Sequence, residues 1–306
     1  MKCVLIGYGY WGKIIEKYIE KDNFFELIGI CDPKLENSLN FDDILKNKDI
    51  ECAFVCNPVD VHYLTVKRLL EHDKHVFCEK PLCKDLKETE EVLELSKKKK
   101  KCLFTDYIYT SSPSINFIKE NINLLGKVLY CEGNINQFGK FYKKDNVFEV
   151  LSVHLISAIS YILDKELRVV DVISKKESKD NITQVGSIEI LIEKGTKEKI
   201  NGIINSSLLN DKKERNIIFR CENGNIIFDM MGKETVKIVR HKELEIGYQE
   251  EVIFTKKYDE SNNLIKVIDQ FKKNIEKKET NRIVTINVAK ALESISKKLK
   301  EKSEYI

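Results

Sequence analysis

One stretch narrows the choice of fold more than any other: Lys2-Cys-Val-Leu-Ile-Gly7-Tyr-Gly9-Tyr10-Trp11-Gly12, running on to Gly29-Ile-Cys-Asp32-Pro33. An apolar run of strand length ends in Gly-x-Gly-x-x-Gly, and a helical pattern (Ile14, Ile15, Tyr18, Ile19) follows at once. A second apolar run, Phe24 to Cys31, ends on an acid 20 residues after the last glycine. Gly7 suits a tight strand-to-helix turn. Gly9 lets a pyrophosphate approach backbone N–H groups at a helix N-terminus, and Gly12 lets the helix pack close to the strand. Asp32 is placed to accept hydrogen bonds from an adenine ribose. With Tyr10 and Trp11 between the glycines, the strand–turn–helix–strand–acid order predicts a dinucleotide site. A carboxylate at 32 repels a 2′-phosphate, so NAD is expected, and Lys34 leaves NADP possible.

The next segments keep the same rhythm. Glu51–Cys56, His75–Cys78 and Cys102–Thr105 read as strands. Helical patterns stand between them, Asp60 being a candidate cap for one and Asp85…Glu88 a capping pair for another. Alternation of this kind predicts a doubly wound parallel sheet of the Rossmann type over 1–117, with ligands at the carboxyl ends of its strands. From about residue 115 the pattern changes to a helix over 115–122, a strand over 127–137, a helix over 146–163 and successive strands between 167 and 240, Asn223-Gly224 being a hairpin signal. Two helices close the chain. The expectation for 118–306 is an α+β domain with a large, mostly antiparallel sheet, serving substrate binding and oligomerisation.

Lysine and arginine (52) nearly balance aspartate and glutamate (49), so the net charge of +3 favours neither nucleic acid nor a membrane as partner. No apolar span of membrane length and no leader pattern appears. Nine cysteines, many inside strand patterns and without metal-ligand spacing, read as reduced thiols of a cytoplasmic protein with no metal site. Ile188, Ile190 and Ile192 line one face of a strand. They predict a homodimer or homotetramer, unless helices take that face.

At His75-Val-Phe-Cys-Glu79-Lys80-Pro81-Leu82 the chain resembles the Gfo/Idh/MocA oxidoreductases. Gly7, Gly9, Gly12, Asp32, Asn57-Pro58…His62, Pro113, Leu125-Gly126 and Asn136-Gln-Phe-Gly139 belong to the same likeness. It implies an NAD(P)-dependent dehydrogenase or reductase acting on a sugar or nucleotide-sugar hydroxyl or carbonyl. It also adds Asn57, Pro58, His62, Glu79 and Lys80 to the cofactor-binding residues. Hydride transfer needs a group that exchanges the hydroxyl proton and a positive charge facing the alkoxide. Lys80, at a strand end on the cofactor side, suits both roles. His154, on the helix of the second domain, is the other candidate for the proton, while His62 reads as structural. The chain departs from the family at Val150, where an Asp usually stands four residues before the His, and at Leu155. Glu149 is the nearest acid but lies around the helix. Two other functions fit the same residues: a non-catalytic dinucleotide-binding regulator, and an enzyme that uses tightly bound NAD transiently.

Overall fold

The computed structural model describes residues 1–139, 141, 145–176, 182–194 and 198–303. The chain forms two compact units, Met1–Tyr107 with Leu264–Ala289, and Ile108–Asn263 with Lys290–Ile306.

The first unit is built on five parallel strands, β1 (Lys2–Ile6), β2 (Glu26–Cys31), β3 (Cys52–Val55), β4 (His75–Cys78) and β5 (Leu103–Thr105), in the order β2-β1-β3-β4-β5. Order reverses at β1, so the crevice between β1 and β3 lies at the switch point where such sheets bind ligands. Helices α1 (Tyr10–Ile19), α2 (Phe41–Lys46), α3 (His62–Glu71) and α4 (Leu86–Lys99) connect the strands. Asn40 caps α2, its side chain accepting from the Asp42 and Asp43 N–H groups, and Asp85 caps α4 by accepting from Glu88 N–H at 2.8 Å. Asp60 does not cap α3. It lies in a short 3-10 turn before that helix and pairs with Lys84.

Strands buried on both faces need two apolar layers. One is a cluster of Val4, Ile6, Val55, Val66, Leu69, Leu70 and Val92 beneath α3 and α4. The other is aromatic. Phe54, Phe77 and Phe104 stand in register across β3, β4 and β5. Phe271, on α7 (Asn263–Lys277), lies over all three with ring centroids 5.7, 5.5 and 5.9 Å away. Edge strand β5 would present unpaired backbone groups. The Asn281 amide meets them, donating to Thr105 O at 2.7 Å and accepting Thr105 N–H at 3.0 Å.

The second unit carries α5 (Pro113–Asn121), α6 (Val153–Leu163) and eight strands. These are β6 (Val128–Phe138), β7 (Leu167–Lys176), β8 (Thr183–Lys194), β9 (Glu198–Ser207), β10 (Leu209–Cys221), β11 (Gly224–Asp229), β12 (Val236–Glu243) and β13 (Tyr248–Lys256). Their order is β13-β12-β11-β10-β6-β9-β8-β7, with only β6 and β9 parallel. The Asn-Gly signal gives the β10–β11 hairpin, closed by the pair Cys221 and Gly224. Helix α8 (Arg282–Ser303) ends the chain.

Ile188, Ile190 and Ile192 are buried within this single chain, so the face expected to drive assembly is already covered. The other face is crossed by a polar ladder. Ser187 donates to Asn205 (2.7 Å), Asn205 to Asn134 (3.0 Å) and Asn134 to Asn216 (3.0 Å), one residue from each of four neighbouring strands. Among the described residues no helix is long and apolar enough to cross a membrane.

Candidate active site

The glycine loop has the geometry its spacing predicts. Gly7 sits at φ +92°, a conformation that disfavours any side chain. A Cβ at Gly12 would stand 2.2 Å from the Gly7 carbonyl oxygen, whereas a Cβ at Gly9 would meet nothing within 4 Å. Gly12 is thus fixed by packing, and Gly9 leaves open space at the start of α1. Gly9 offers no side chain to cap that helix and its first turn holds no acid, so its N–H groups and dipole are suited to an anion. Tyr10 and Trp11 form the exposed edge of this turn, their rings 5.5 Å apart at nearly right angles.

Asp32 follows β2 and is anchored to the same loop. Its Oδ2 accepts the Tyr8 N–H at 2.6 Å and its Oδ1 accepts the Lys34 N–H at 2.9 Å. These two bonds, Tyr8 first, hold its carboxyl below the usual range, so it is ionised at neutral pH. Each oxygen keeps a free lone-pair direction for a ribose hydroxyl. Ser38, which the sequence pattern did not single out, accepts the Asp32 N–H at 3.0 Å and donates to Leu39 O at 3.1 Å. It lies in the loop between β2 and α2, where no periodicity marks it.

The remaining residues belong to the ends of β3 and β4. Asn57 donates to Thr65 Oγ1 at 3.0 Å, and its own Oδ1 is buried without a partner among the described residues. Pro58 follows at the surface. His62 is 2% exposed. Its Nε2 lies 2.8 Å from Asn57 O and its Nδ1 lies 2.9 Å from Pro81 O, so the ring bridges the two strand-end loops. Burial pushes its pKa down while the carbonyls oppose this. A neutral ring donates to only one of the two carbonyls. Lys80 stands between buried Glu79 and Pro81, joined to the latter by a cis peptide bond.

In the second unit, His154 is half-buried in the first turn of α6, its ring 5.5 Å from that of Tyr109. The segment expected as one helix over 146–163 begins instead with a π-helical turn, Phe148–Ser152, before α6. Glu149 closes a reciprocal cap there. Its carboxylate accepts Asn146 N–H at 2.9 Å, and Asn146 Oδ1 accepts Phe148 and Glu149 N–H at 2.9 and 3.2 Å. The nearest acid to His154 is therefore occupied in starting the helix. Buried Arg215 was not anticipated either. It donates to Asn136 O at 2.8 Å and to Gln137 Oε1. Burial pushes the Tyr109 phenol up to about 12, against the pull of Arg215.

The cysteines are all free thiols, seven of them buried. Burial raises Cys3, Cys83 and Cys131 to about 12, which removes them as nucleophiles near neutrality.

Residues 1–107 match the model of an oxidoreductase family with an NAD-binding Rossmann fold. Among curated proteins, the chain is similar to an uncharacterized oxidoreductase of Streptococcus pneumoniae, 27% identical over 145 residues, which are 43% of this chain and 39% of the relative. It is also similar to a 2,7-anhydro-N-acetylneuraminate hydratase of Mediterraneibacter gnavus, 22% identical over 144 residues, 43% of this chain and 38% of the relative. The match thus spans about two fifths of the length of these relatives. Among solved structures, the fold is similar to that of a 3-ketoreductase from Actinomadura kijaniata in complex with TDP-benzene and NADP. Its TM-score is 0.78 at 16% identity, covering 97% of this chain and 96% of that one. It is also similar to a UDP-N-acetylglucosamine 3-dehydrogenase from Acidithiobacillus ferrooxidans, with a TM-score of 0.80 at 15% identity and 97% of each chain covered.

Proposed function

We propose, for a chain that over residues 1–107 belongs to the Gfo/Idh/MocA oxidoreductases, that it is an NAD(P)-dependent oxidoreductase of a sugar or nucleotide-sugar hydroxyl or carbonyl. The observation that carries this is the convergence of three features on one edge of the five-stranded sheet. They are an open glycine turn before α1, an anchored carboxylate at Asp32 and Lys80 just beyond β4. The glycine turn and α1 would hold the pyrophosphate, and Asp32 the adenine ribose. When bound, the nicotinamide supplies or accepts the hydride.

This chain's part is then positioning and proton exchange. In the reducing direction the Lys80 ammonium stabilises the alkoxide and gives it a proton; in the oxidising direction its amine takes one. His62 holds the Asn57 and Pro81 loops in place. His154 is the second group proposed to exchange a proton, and Gly7, Gly9, Tyr10, Trp11, Gly12, Asn57, Pro58 and Glu79 complete the proposed site. The test is a screen of sugars and nucleotide sugars by NADH absorbance, followed by Lys80→Met on the substrate found. A wild-type rate in that variant would exclude the assigned role.

A second function is favoured by one observation, the likeness to proteins named as hydratases. Addition or removal of water involves no net redox change, so a chain of that class would keep its dinucleotide through turnover. Purified protein carrying NAD that resists dialysis would move the assignment to this class. The proposed setting is the cytoplasm, where nine free thiols stay reduced. A homodimer or homotetramer would have to use a face other than that of Ile188, Ile190 and Ile192, which is buried in the single chain, and sedimentation velocity at micromolar concentration tests it.

A further inference from the structure

Two acids stand at the edge of the first sheet, Glu79, so far placed only beside the cofactor, and Asp106, so far without a role. Glu79 follows β4 and Asp106 follows β5. Cys78 pairs with Thr105, and Asp106 N–H donates to Cys78 O at 2.8 Å. The two acids therefore stand side by side one step beyond the last paired rung, and strand alternation puts them on the same face. Cys56 takes the same step on β3, since Val55 pairs with Cys78. Glu79 is 8% exposed and Asp106 is 5% exposed.

Their hydrogen bonding is incomplete. Glu79 Oε2 accepts the Lys80 N–H at 3.3 Å, a long bond. Glu79 Oε1 and Asp106 Oδ1 are buried and have no partner among the described residues. Desolvation and like-charge repulsion both oppose two ionised carboxylates in this position. A single carboxyl O–H would provide the missing donor and halve the charge. Burial moves Glu79 up to about 7, and burial followed by the Glu79 charge moves Asp106 well above its ordinary value. The Lys80 ammonium opposes both shifts. The other titratable groups here, the Cys56 and Cys78 thiols, are kept protonated by burial.

We propose that Glu79 and Asp106 form a carboxyl pair that holds one proton between them at neutral pH and recharges Lys80, an inference that rests on the role of Lys80 proposed above. In reduction, an Nζ–H bond breaks as the alkoxide O–H forms, leaving a neutral amine. The pair's O–H then breaks as a new Nζ–H forms, leaving an ammonium and two carboxylates. Water returns a proton to the pair before the next turnover, and no electron moves in these steps. Glu79 and Asp106 are positioning and proton-storing residues, not groups in contact with the substrate.

Infrared titration of the full chain tests this without substrate. A protonated-carboxyl C=O band should persist at about pH 7, where ordinary carboxyls are ionised. Asp106→Asn removes the neighbouring charge and adds an N–H donor, so the midpoint of that band should fall by about one unit or more. Glu79→Gln gives the mirror measurement if the first variant folds poorly. Lys80→Met removes the opposing ammonium and should move the midpoint upward by a similar amount. Absence of the band at about pH 7, or a midpoint unmoved by either the carboxyl or the lysine substitution, overturns the proposal. No turnover is needed. A missing band therefore defeats the pair while the oxidoreductase assignment stands, and an unchanged rate in Lys80→Met defeats that assignment while the band persists.

Discussion

Replacing Asp32 by Asn changes the charge at the proposed ribose end of the site and little else, because an amide oxygen still accepts the Tyr8 or Lys34 N–H. A 2′-phosphate beside this carboxylate brings about two negative charges to roughly 5 Å, a repulsion of about 1.7 kcal/mol at the dielectric of water and several times that at an effective dielectric near 20. Asp32 is half-buried and open to salt, so the lower figure applies. A ribose hydroxyl donating to a carboxylate contributes about 1.5 kcal/mol more to NADH. Together these give about 3 kcal/mol, a preference for NADH over NADPH of roughly a hundredfold. In Asp32→Asn, NADPH should tighten by about tenfold and NADH weaken several-fold. Fluorescence titration of both reduced dinucleotides, at two salt concentrations, measures this. A wild-type preference for NADPH, or a ratio that Asp32→Asn leaves untouched, would refute the reasoning and give the choice to Lys34 or the loop after it.

Lys80→Met keeps the stem and removes the ammonium, so turnover on an identified substrate should fall ~100-fold or more while dinucleotide affinity holds. In Gly12→Ala the new methyl meets the Gly7 carbonyl, so α1 must move, and calorimetry should show a lower Tm with dinucleotide Kd at least ~10-fold weaker. Asn281→Ala strips both partners from the β5 edge and should cost about 1–3 kcal/mol in urea unfolding. His75 accepts Cys102 N–H at 3.0 Å, and burial first, then Lys101 and Lys278, lower its pKa to about 4. The folded chain keeps it neutral while the unfolded chain binds a proton below about pH 6.5. Stability should thus be complete above that pH and decline towards about 4, and His75→Asn should flatten part of the decline in Tm.

Local signals gave most of the first sheet, since the ends of β1 to β4 are followed by a glycine turn or a proline that one segment reveals. The glycine turn was readable for the same reason: its glycines, helix and acid lie within 32 residues. What escaped depends on partners distant in sequence. Asp106 is a lone acid after a short strand until Glu79 is placed beside it. Arg215 looks like a surface cation in a polar run, yet it is held by the backbone of β6. Strand β13 was missed because its residues are mostly exposed and charged, which hides the alternation of a half-buried strand. The π-helical turn before His154 changes how many residues separate one face from the next, and an ideal helical wheel cannot show that.

Phe271 gives the order of events during synthesis a particular form. The aromatic floor of the dinucleotide unit is finished by a residue that leaves the ribosome long after Phe104, with the whole second sheet translated between them. Until then Phe25, Phe54, Phe77 and Phe104 have no α7 to cover them. A nascent chain halted after residue 107 would hold every dinucleotide-binding residue proposed here and still expose that apolar face. Such a chain is a ready client for chaperones and for proteolysis, so the capacity to hold a cofactor arrives late, almost with the last turn of α7.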